Sequence, residues 1–316
     1  MIDYTLTSEQ TQLQQLTREF AAKEIRPVAA EYDRTGDFPW PVMQKAFDLG
    51  LMNLNIPPEY GGPGLGVLDQ VIAQEEFAWG CAGITASLFI TSLAAGVVLT
   101  SGTEEQKRQY VQPLTEKLTL TSYAVTEPAA GSDVAGIQTQ AIKAGDDYVL
   151  TGSKRFITAG GVADWLVVFA YTDKSKGHEG MSAFIVPRES KGLSVPRKED
   201  MMGQRASNTA EVVLDEVVVP QANLIGREGD AFKIAMLAFD KSRPLVAASA
   251  IGVARAAMEH ALAYAKERRA FGVPIAQHQA IQFMLAEMKM SVDAARHLAY
   301  HAAWLTDQGK RNSLEA

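Results

Sequence analysis

The sequence predicts an α+β fold of three successive parts: a helical region over residues 1–117, a small, mainly antiparallel β region over 118–228, and a second helical region, incomplete, over 229–316. Three observations carry this reading. Apolar residues recur at helical steps early in the chain, with Leu13, Leu16, Phe20 and Ile25 three to five positions apart. From Leu118 the texture changes to short β-branched runs bounded by turn residues. From Asp230 the helical period returns over two long stretches.

Each element carries local signals of its own. Thr7-x-x-Gln10 and Thr103-x-x-Gln106 have the form of capping boxes, in which side chain and backbone satisfy each other's end groups. Pro27 ends or kinks the first helix, since it has no N–H to donate. Pro57 to Gly66 is a long connection whose glycines lack the G-x-G-x-x-G spacing and are interrupted by prolines, so they read as structural. The apolar run Ile84 to Leu99 is shorter than the roughly 20 residues of a membrane span. It is also broken by Thr85, Ser87, Thr91 and Ser92, and is expected as a buried helix. Strands are expected around Tyr148–Thr151, Trp165–Phe169, Ala183–Val186 and Glu211–Leu214, and long helices over Ala231–Arg268 and about Ile275–Leu305. After Thr306-Asp-Gln-Gly309, the run Asn312-Ser-Leu-Glu315 offers an N-cap and a Glu at the third helical position, so either another helix begins here or the tail frays.

Bulk composition narrows the function. A chain of 316 residues with 47% hydrophobic content can bury the core of two or three structural units. A net charge of −7 and few basic clusters argue against nucleic acid or an anionic membrane as the main partner, while leaving room for a local phosphate site. Cys81 is the single cysteine, is expected as a small buried residue, and suits a reducing compartment. Met1-Ile-Asp-Tyr4 resembles neither a secretory signal nor a transit peptide, which predicts a cytoplasmic protein, or one of the mitochondrial matrix if processed. The five His show no metal-ligand spacing, and Gly-x-Ser-x-Gly is missing, so neither a metal site nor a nucleophile is expected. A cofactor must then carry the hard chemistry.

The most informative segment is Tyr123-Ala-Val-Thr-Glu-Pro-Ala-Ala-Gly-Ser-Asp133, where an apolar run ends in a turn of small residues. Thr126 and Ser132 offer hydroxyls, and Gly131 lets backbone N–H groups approach a flat or anionic ligand. An ordinary strand-to-loop turn is the other reading of these residues.

The pattern Tyr-x-Val-Thr-Glu-Pro-x-x-Gly-Ser-Asp is similar to the flavin-binding signature of the acyl-CoA dehydrogenases. Further pieces follow in that family's order along essentially the whole chain: Gly152-Ser-Lys-Arg-Phe-Ile-Thr158, Met202-Gly-Gln-Arg205, Phe239-Asp-Lys-Ser-Arg-Pro244, Glu267-Arg-Arg-Ala-Phe-Gly272 and His278-Gln-Ala-Ile281. Asp240-Lys-Ser-Arg-Pro244 and Phe283-Met-Leu-Ala-Glu-Met288 look most like the medium-chain branch.

The resemblance implies FAD as cofactor and an acyl-CoA thioester as substrate. Its α-hydrogen would leave as a proton and its β-hydrogen as a hydride to flavin N5, giving a trans-2-enoyl thioester. Electron-transfer flavoprotein would be the acceptor, and the full-length protein a homotetramer, a dimer of dimers. Tyr123, Ala124, Val125, Thr126, Gly131 and Ser132 would line the flavin pyrimidine edge and ribityl chain. Phe156, Ile157 and Thr158 would pack on and hydrogen-bond the ring system; many relatives have Trp where Phe156 stands, and a strand-core role is the alternative for this Phe. Arg268, Arg269, Ala270, Phe271, His278 and Gln279 would reach the adenosine diphosphate part of FAD in a neighbouring subunit, although Arg268 also reads as a solvated helix-end cation. Ser132, Asp240, Lys241, Ser242 and Arg243 match the segment that holds CoA. Asp240 and Arg243 also have the spacing of an ion pair on one helix face, and both roles can coexist. Phe89 stands at about the depth of the acyl pocket or, equally, is a core aromatic.

No catalytic residue is assigned. Most of the family carries its glutamate base in a Tyr-Glu-Gly context beyond the last residue here, together with a Gly-rich segment that completes the partner's FAD site. One branch has it at the position of Ser242, which cannot serve. The expectation is therefore a chain lacking that C-terminal segment, its 316-residue form inactive. Two other functions remain on the same residues: a flavin oxidase or monooxygenase, marked by fast reoxidation by oxygen, and a truncated non-catalytic protein that binds CoA or flavin.

Overall fold

The computed structural model describes residues 5–316, so the reading of Met1–Tyr4 lies outside the described residues. Helices α1 (Ser8–Phe20), α2 (Ala29–Thr35), α3 (Trp40–Asp48), α4 (Val67–Gly80), α5 (Ala82–Ser101), α6 (Glu104–Gln106) and α7 (Pro113–Glu116) come first. Strands β1 (Thr121–Ala124), β2 (Gln140–Ala144), β3 (Asp147–Ile157), β4 (Trp165–Tyr171), β5 (Met181–Pro187), β6 (Leu193–Ser194), β7 (Ala210–Pro220) and β8 (Leu224–Ile225) follow. The long helix α8 (Ala231–Glu267), a hairpin of β9 (Arg269–Ala270) and β10 (Val273–Pro274), and α9 (Gln279–Asp307) complete the order, which is helical, β, then helical. Both expected capping boxes form, Thr7 with Gln10 and Thr103 with Gln106.

The chain packs as two compact units, one of residues 31–65 and 86–239, the other of residues up to 30, 66–85 and 240–316. The first unit holds the sheet, in the order β6-β7-β3-β2-β4-β5-β8 with β1 beside β4. Its pairings are antiparallel except β1 with β4 and β2 with β4. Strand β4 reads Trp-Leu-Val-Val-Phe-Ala-Tyr because both its faces are covered, and successive residues point to opposite sides. Trp165, Val167 and Phe169 join a core with Ile90, Ala94 and Val98 of α5 and Ile234 of α8, while Leu166, Val168 and Ala170 face Tyr148, Phe184 and Val212 on the other side.

Buried ions knit the second unit. Glu75 and Glu76 of α4 are each about 1% exposed. Arg296 of α9 holds Glu75 through Nε and an η nitrogen at 2.9 and 2.8 Å. Arg255 of α8 forks onto Glu76 at 2.7 and 2.5 Å. A Cβ at Gly252 would lie 2.3 Å from the Glu75 carbonyl, so α8 crosses α4 at a distance only glycine permits. Gly66, last residue of the Pro57–Gly66 connection, is structural for a similar reason. The amides of Val67 and Leu68 donate to the Asp307 carboxylate at 2.7 and 2.9 Å, and a Cβ at Gly66 would come within 2.8 Å of that carboxylate.

Three local expectations are corrected. Helix α5 takes in the small and polar residues on both sides of the apolar run and reaches 20 residues, so by length and composition alone α5, like α8, is enough to cross a membrane, while Ile84, Leu88, Ala94 and Val98 are buried as expected. Cys81 is half-buried rather than buried, because it is the extended residue that breaks α4 from α5. Asn312 is buried, but its side-chain amide donates to the carbonyls of Asp240 and Ala302 at 2.9 and 3.2 Å. Its own carbonyl accepts from Glu315 and Ala316, giving one turn tied down at its start.

Candidate active site

In the sheet unit, β1 delivers Tyr123 and Ala124 and then leaves the ladder. Two consecutive carbonyls of the departing chain are held by β3: Lys154 Nζ donates to Val125 O at 3.2 Å, and the Arg155 N–H donates to Thr126 O at 2.9 Å. Glu127 and Ala130 close the turn by exchanging backbone bonds at 2.9 and 3.2 Å. The side chains of Ala124 and Val125 are in the core, so these two can offer a ligand only backbone. Gly131 and Ser132 are exposed, and nothing lies within 4 Å of where a Gly131 Cβ would be. The room a side chain would fill is open.

Residue 156 decides between the two readings of Phe156. Strand β3 pairs Lys154 with Val212 and Ile157 with Ala210, three residues against two, so a β-bulge falls at 155–156. Without it, Phe156 would share the inward side of Lys154, two residues earlier. The bulge turns it out: φ is +57° and the ring is 55% exposed, with the Arg155 guanidinium 5.2 Å from its centroid. The strand-core reading is thereby excluded. Ile157 goes the other way and is buried, leaving its backbone.

Thr158 is half-buried and braced from several sides. Ser122 Oγ donates to its carbonyl at 2.5 Å, Ala159 follows at φ +57° with its N–H on Ser207 O, and Asn208 Oδ1 accepts from the Gly161 amide at 3.0 Å. The Tyr123 ring packs on Phe169 and Phe239 at 4.9 and 5.9 Å. Its buried hydroxyl finds no hydrogen-bond partner among the described residues, and burial raises its pKa. Phe89, on α5, is half-buried.

A second group lies in the helical unit. Phe271 and Gly272 form the two-residue turn between β9 and β10, at φ +53° and +82°, the signs a type I′ turn demands. The Phe271 ring is 96% exposed, with only His278 edge-on at 5.9 Å. His278 Nε2 lies 3.4 Å from Ala270 O, and Arg269 donates to Gly272 O at 2.6 Å. Arg268 has an exposed side chain and a fixed backbone, bonded to Tyr264 and Ile275 at 2.8 Å each. Gln279, exposed, opens α9. An Arg beside a free helix N-terminus suits a phosphate.

A third cluster is on α8. Asp240 pairs with Arg243 at 3.3 Å and accepts from Ser313 Oγ at 2.5 Å. Lys241 is exposed and Ser242 is buried. The sequence reading missed Lys154 and Glu127; the one signal was a lysine on the side of β3 that carries Tyr148 and Leu150.

The turn, the bulge and the exposed rings offer hydroxyls, amides and stacking faces that suit a flat ligand. The acyl-CoA dehydrogenase N-terminal, middle and C-terminal domain models match residues 7–117, 122–217 and 229–316, and the chain belongs to the acyl-CoA dehydrogenase family. It is 43% identical to a short-chain specific acyl-CoA dehydrogenase of Clostridium acetobutylicum, over 100% of this chain and 83% of the relative. Among solved structures it matches the butyryl-CoA dehydrogenase of Megasphaera elsdenii with a TM-score of 0.96 at 41% identity, over 99% of this chain and 83% of that one. A chain in the structure described as the electron transferring flavoprotein of Acidaminococcus fermentans matches with a TM-score of 0.97 at 41% identity, over 99% and 83%. More distant matches are the prolyl acyl carrier protein oxidase AnaB (TM-score 0.94, 31% identity, 98% and 83%) and the FAD complex of PigA (TM-score 0.93, 27% identity, 99% and 83%).

Proposed function

We propose that the protein dehydrogenates short- to medium-chain acyl-CoA thioesters between the α and β carbons, with FAD as cofactor and electron-transfer flavoprotein as acceptor. The observation that carries this is Phe156, a bulky ring turned out by a bulge at positive φ beside the Thr126 turn. Strain of this kind persists where surrounding structure enforces it, and clusters at ligand sites. The butyryl-CoA and short-chain relatives support the substrate class.

The residues present fit the cofactor. When bound, FAD supplies the acceptor for the β-hydride. Thr126 and Ser132 offer hydroxyls and the turn offers amides to its polar edge, Phe156 gives a stacking face, and the Thr158 segment is held still by Ser122, Ser207 and Asn208. By the resemblance, Arg268, Arg269, Ala270, Phe271, His278 and Gln279 are assigned to the adenosine diphosphate part of FAD in a neighbouring subunit, and Ser132, Asp240, Lys241, Ser242 and Arg243 to CoA. Residues 1–316 contain no Tyr-Glu-Gly segment, and we assign the proton-accepting carboxylate to none of them. Asp240 is a poor base because both its oxygens already accept hydrogen bonds. Val246, Val253, Phe283, Met290 and Leu298 expose apolar surface along α8 and α9, which supports a homo-oligomer, the expected tetramer. Action in the cytoplasm or mitochondrial matrix accords with this chemistry.

The test is anaerobic. Butyryl- or octanoyl-CoA should bleach the flavin of an FAD-loaded form extended through a Tyr-Glu-Gly segment within seconds, and no bleaching would refute the reading. If residues 1–316 alone bleach as fast, one of them, Asp240 first, is the base, since loss of a general base slows a reaction by about 10²- to 10⁴-fold. A flavin oxidase acting on a carrier-bound acyl group is the second reading, favoured by the likeness to AnaB. Fast reoxidation of the reduced flavin by oxygen would select it.

A further inference from the structure

We propose that Lys154, fixed by Glu127, is a positioning residue for the cofactor: it turns the peptide between Val125 and Thr126 so that the Thr126 N–H faces the ligand. The inference rests on the flavin reading of this turn.

Lys154 is fully buried in the middle of β3, where an uncompensated ammonium is strongly disfavoured. Burial pushes its pKa down to about 8, against the pull of Glu127. Two acceptors engage it, Glu127 Oε1 at 2.7 Å and Val125 O at 3.2 Å. Glu127 is itself immobile. It accepts from the Gln138 amide at 2.6 Å and from the Thr139 amide and hydroxyl at 3.0 and 2.5 Å, all just before β2. Burial raises the pKa of Glu127, but Lys154 and these donors outweigh it and hold the carboxyl below its ordinary range, so it stays an anion. The ammonium therefore has a fixed seat from which to hold Val125 O.

Peptide geometry then sets the direction of the neighbouring amide. The bond is planar and trans, so the C=O of Val125 and the N–H of Thr126 point in opposite directions. With the carbonyl drawn onto Lys154, the N–H points away from that ammonium. The next carbonyl, Thr126 O, is drawn onto Arg155 N–H, so the Thr126 peptides cannot rotate independently. The Thr126 N–H donates to no protein acceptor among the described residues. It is a fixed donor suited to a carbonyl oxygen or anionic nitrogen at the edge of a flat heterocycle, and Phe156, one residue beyond Arg155, brings the stacking face.

The experiment uses Lys154→Met alone and the double variant Lys154→Met/Glu127→Gln, with urea midpoint and FAD dissociation constant read on each. Lys154→Met leaves a buried carboxylate unpaired and loses stability; the double variant removes both charges and recovers it. If the pair is only structural, the double variant binds FAD like the unmutated protein, within twofold, and the proposal falls. If Lys154 positions the turn, the midpoint recovers while FAD remains weaker by about tenfold or more, the scale of one lost hydrogen bond. Amide exchange at Thr126 in the unmutated protein gives a second readout that needs no variant to fold. It should be fast without FAD and slow with it; any other pattern overturns the proposal. Should the unmutated protein fail to bind FAD, the flavin reading falls and takes this with it, whereas equal binding by both proteins removes only the inference.

Discussion

Replacing Arg255 by Met should destabilise the helical unit by about 3–5 kcal/mol, the usual effect of stranding one member of a buried ion pair. The size follows from which carboxylate loses its partner. Glu75 keeps the two bonds from Arg296, at 2.9 and 2.8 Å, and stays compensated. Glu76 does not. It loses bonds of 2.7 and 2.5 Å and retains only Arg18 at 3.4 Å, from a side chain 40% exposed. The Met side chain fills much of the arginine's path, so the cavity contribution is small. The assay is urea unfolding followed by circular dichroism, at pH 7 and on FAD-free protein so that ligand linkage does not enter. Glu76→Gln added to Arg255→Met should restore about 1 kcal/mol or more, because the orphan charge is then gone. A loss below about 1 kcal/mol for Arg255→Met, or a double variant no better than the single, would refute the account of this network as a compensated buried charge.

Phe271→Asn should raise stability by up to about 1 kcal/mol, since Asn accepts positive φ and Asn-Gly is a preferred type I′ turn, yet weaken FAD by removing the ring. If the variant instead loses stability and binds FAD normally, the exposed ring is structural. Arg268→Ala should weaken FAD by roughly 1.5–3 kcal/mol, as loss of a charge-assisted hydrogen bond does, and an unchanged dissociation constant would end that assignment. The Lys154 ammonium gives a pH signature. Its pKa in the fold, about 8, lies below the ordinary 10.5, so between those values the unfolded chain binds more protons and the fold gains stability as pH rises. Measured against Lys154→Met/Glu127→Gln, in which tyrosine titration cancels, the unmutated protein should gain between pH 8 and 10. A flat difference would show that burial does not set this pKa.

Where a signal is local, the sequence was readable. Thr7 with Gln10 and Thr103 with Gln106 stand three apart, and each box is complete within its own turn. Strand β4 was visible over Trp165–Phe169 as a short apolar run bounded by turn residues, and the structure extends it to Tyr171. The interactions that fix the candidate site are of another kind. Lys154 meets Glu127 across 27 positions, and the bulge that exposes Phe156 exists only relative to the register of β7. Asp307 caps α4 from 240 positions away. No spacing rule reaches such pairs, because they are set by which strands and helices become neighbours. Family resemblance named candidate site residues by matching motifs, but it carried no account of how Phe156 comes to face outward.

Phe156 and Phe271 share a feature that points to ligand binding from physics alone. Each holds a backbone conformation that costs a bulky residue about 1–3 kcal/mol, and each leaves an aromatic ring largely in water. Burying a Phe side chain is worth about 1.5–3 kcal/mol, so the free chain forgoes stabilisation at both positions besides bearing the strain. Packing does not explain this, since the Phe156 ring has a guanidinium near it and the Phe271 ring only the edge of His278. A flat partner laid on each ring would recover the burial term while the bulge and the turn stay as they are. Little reorganisation would then oppose the binding of such a partner, because both rings already face outward.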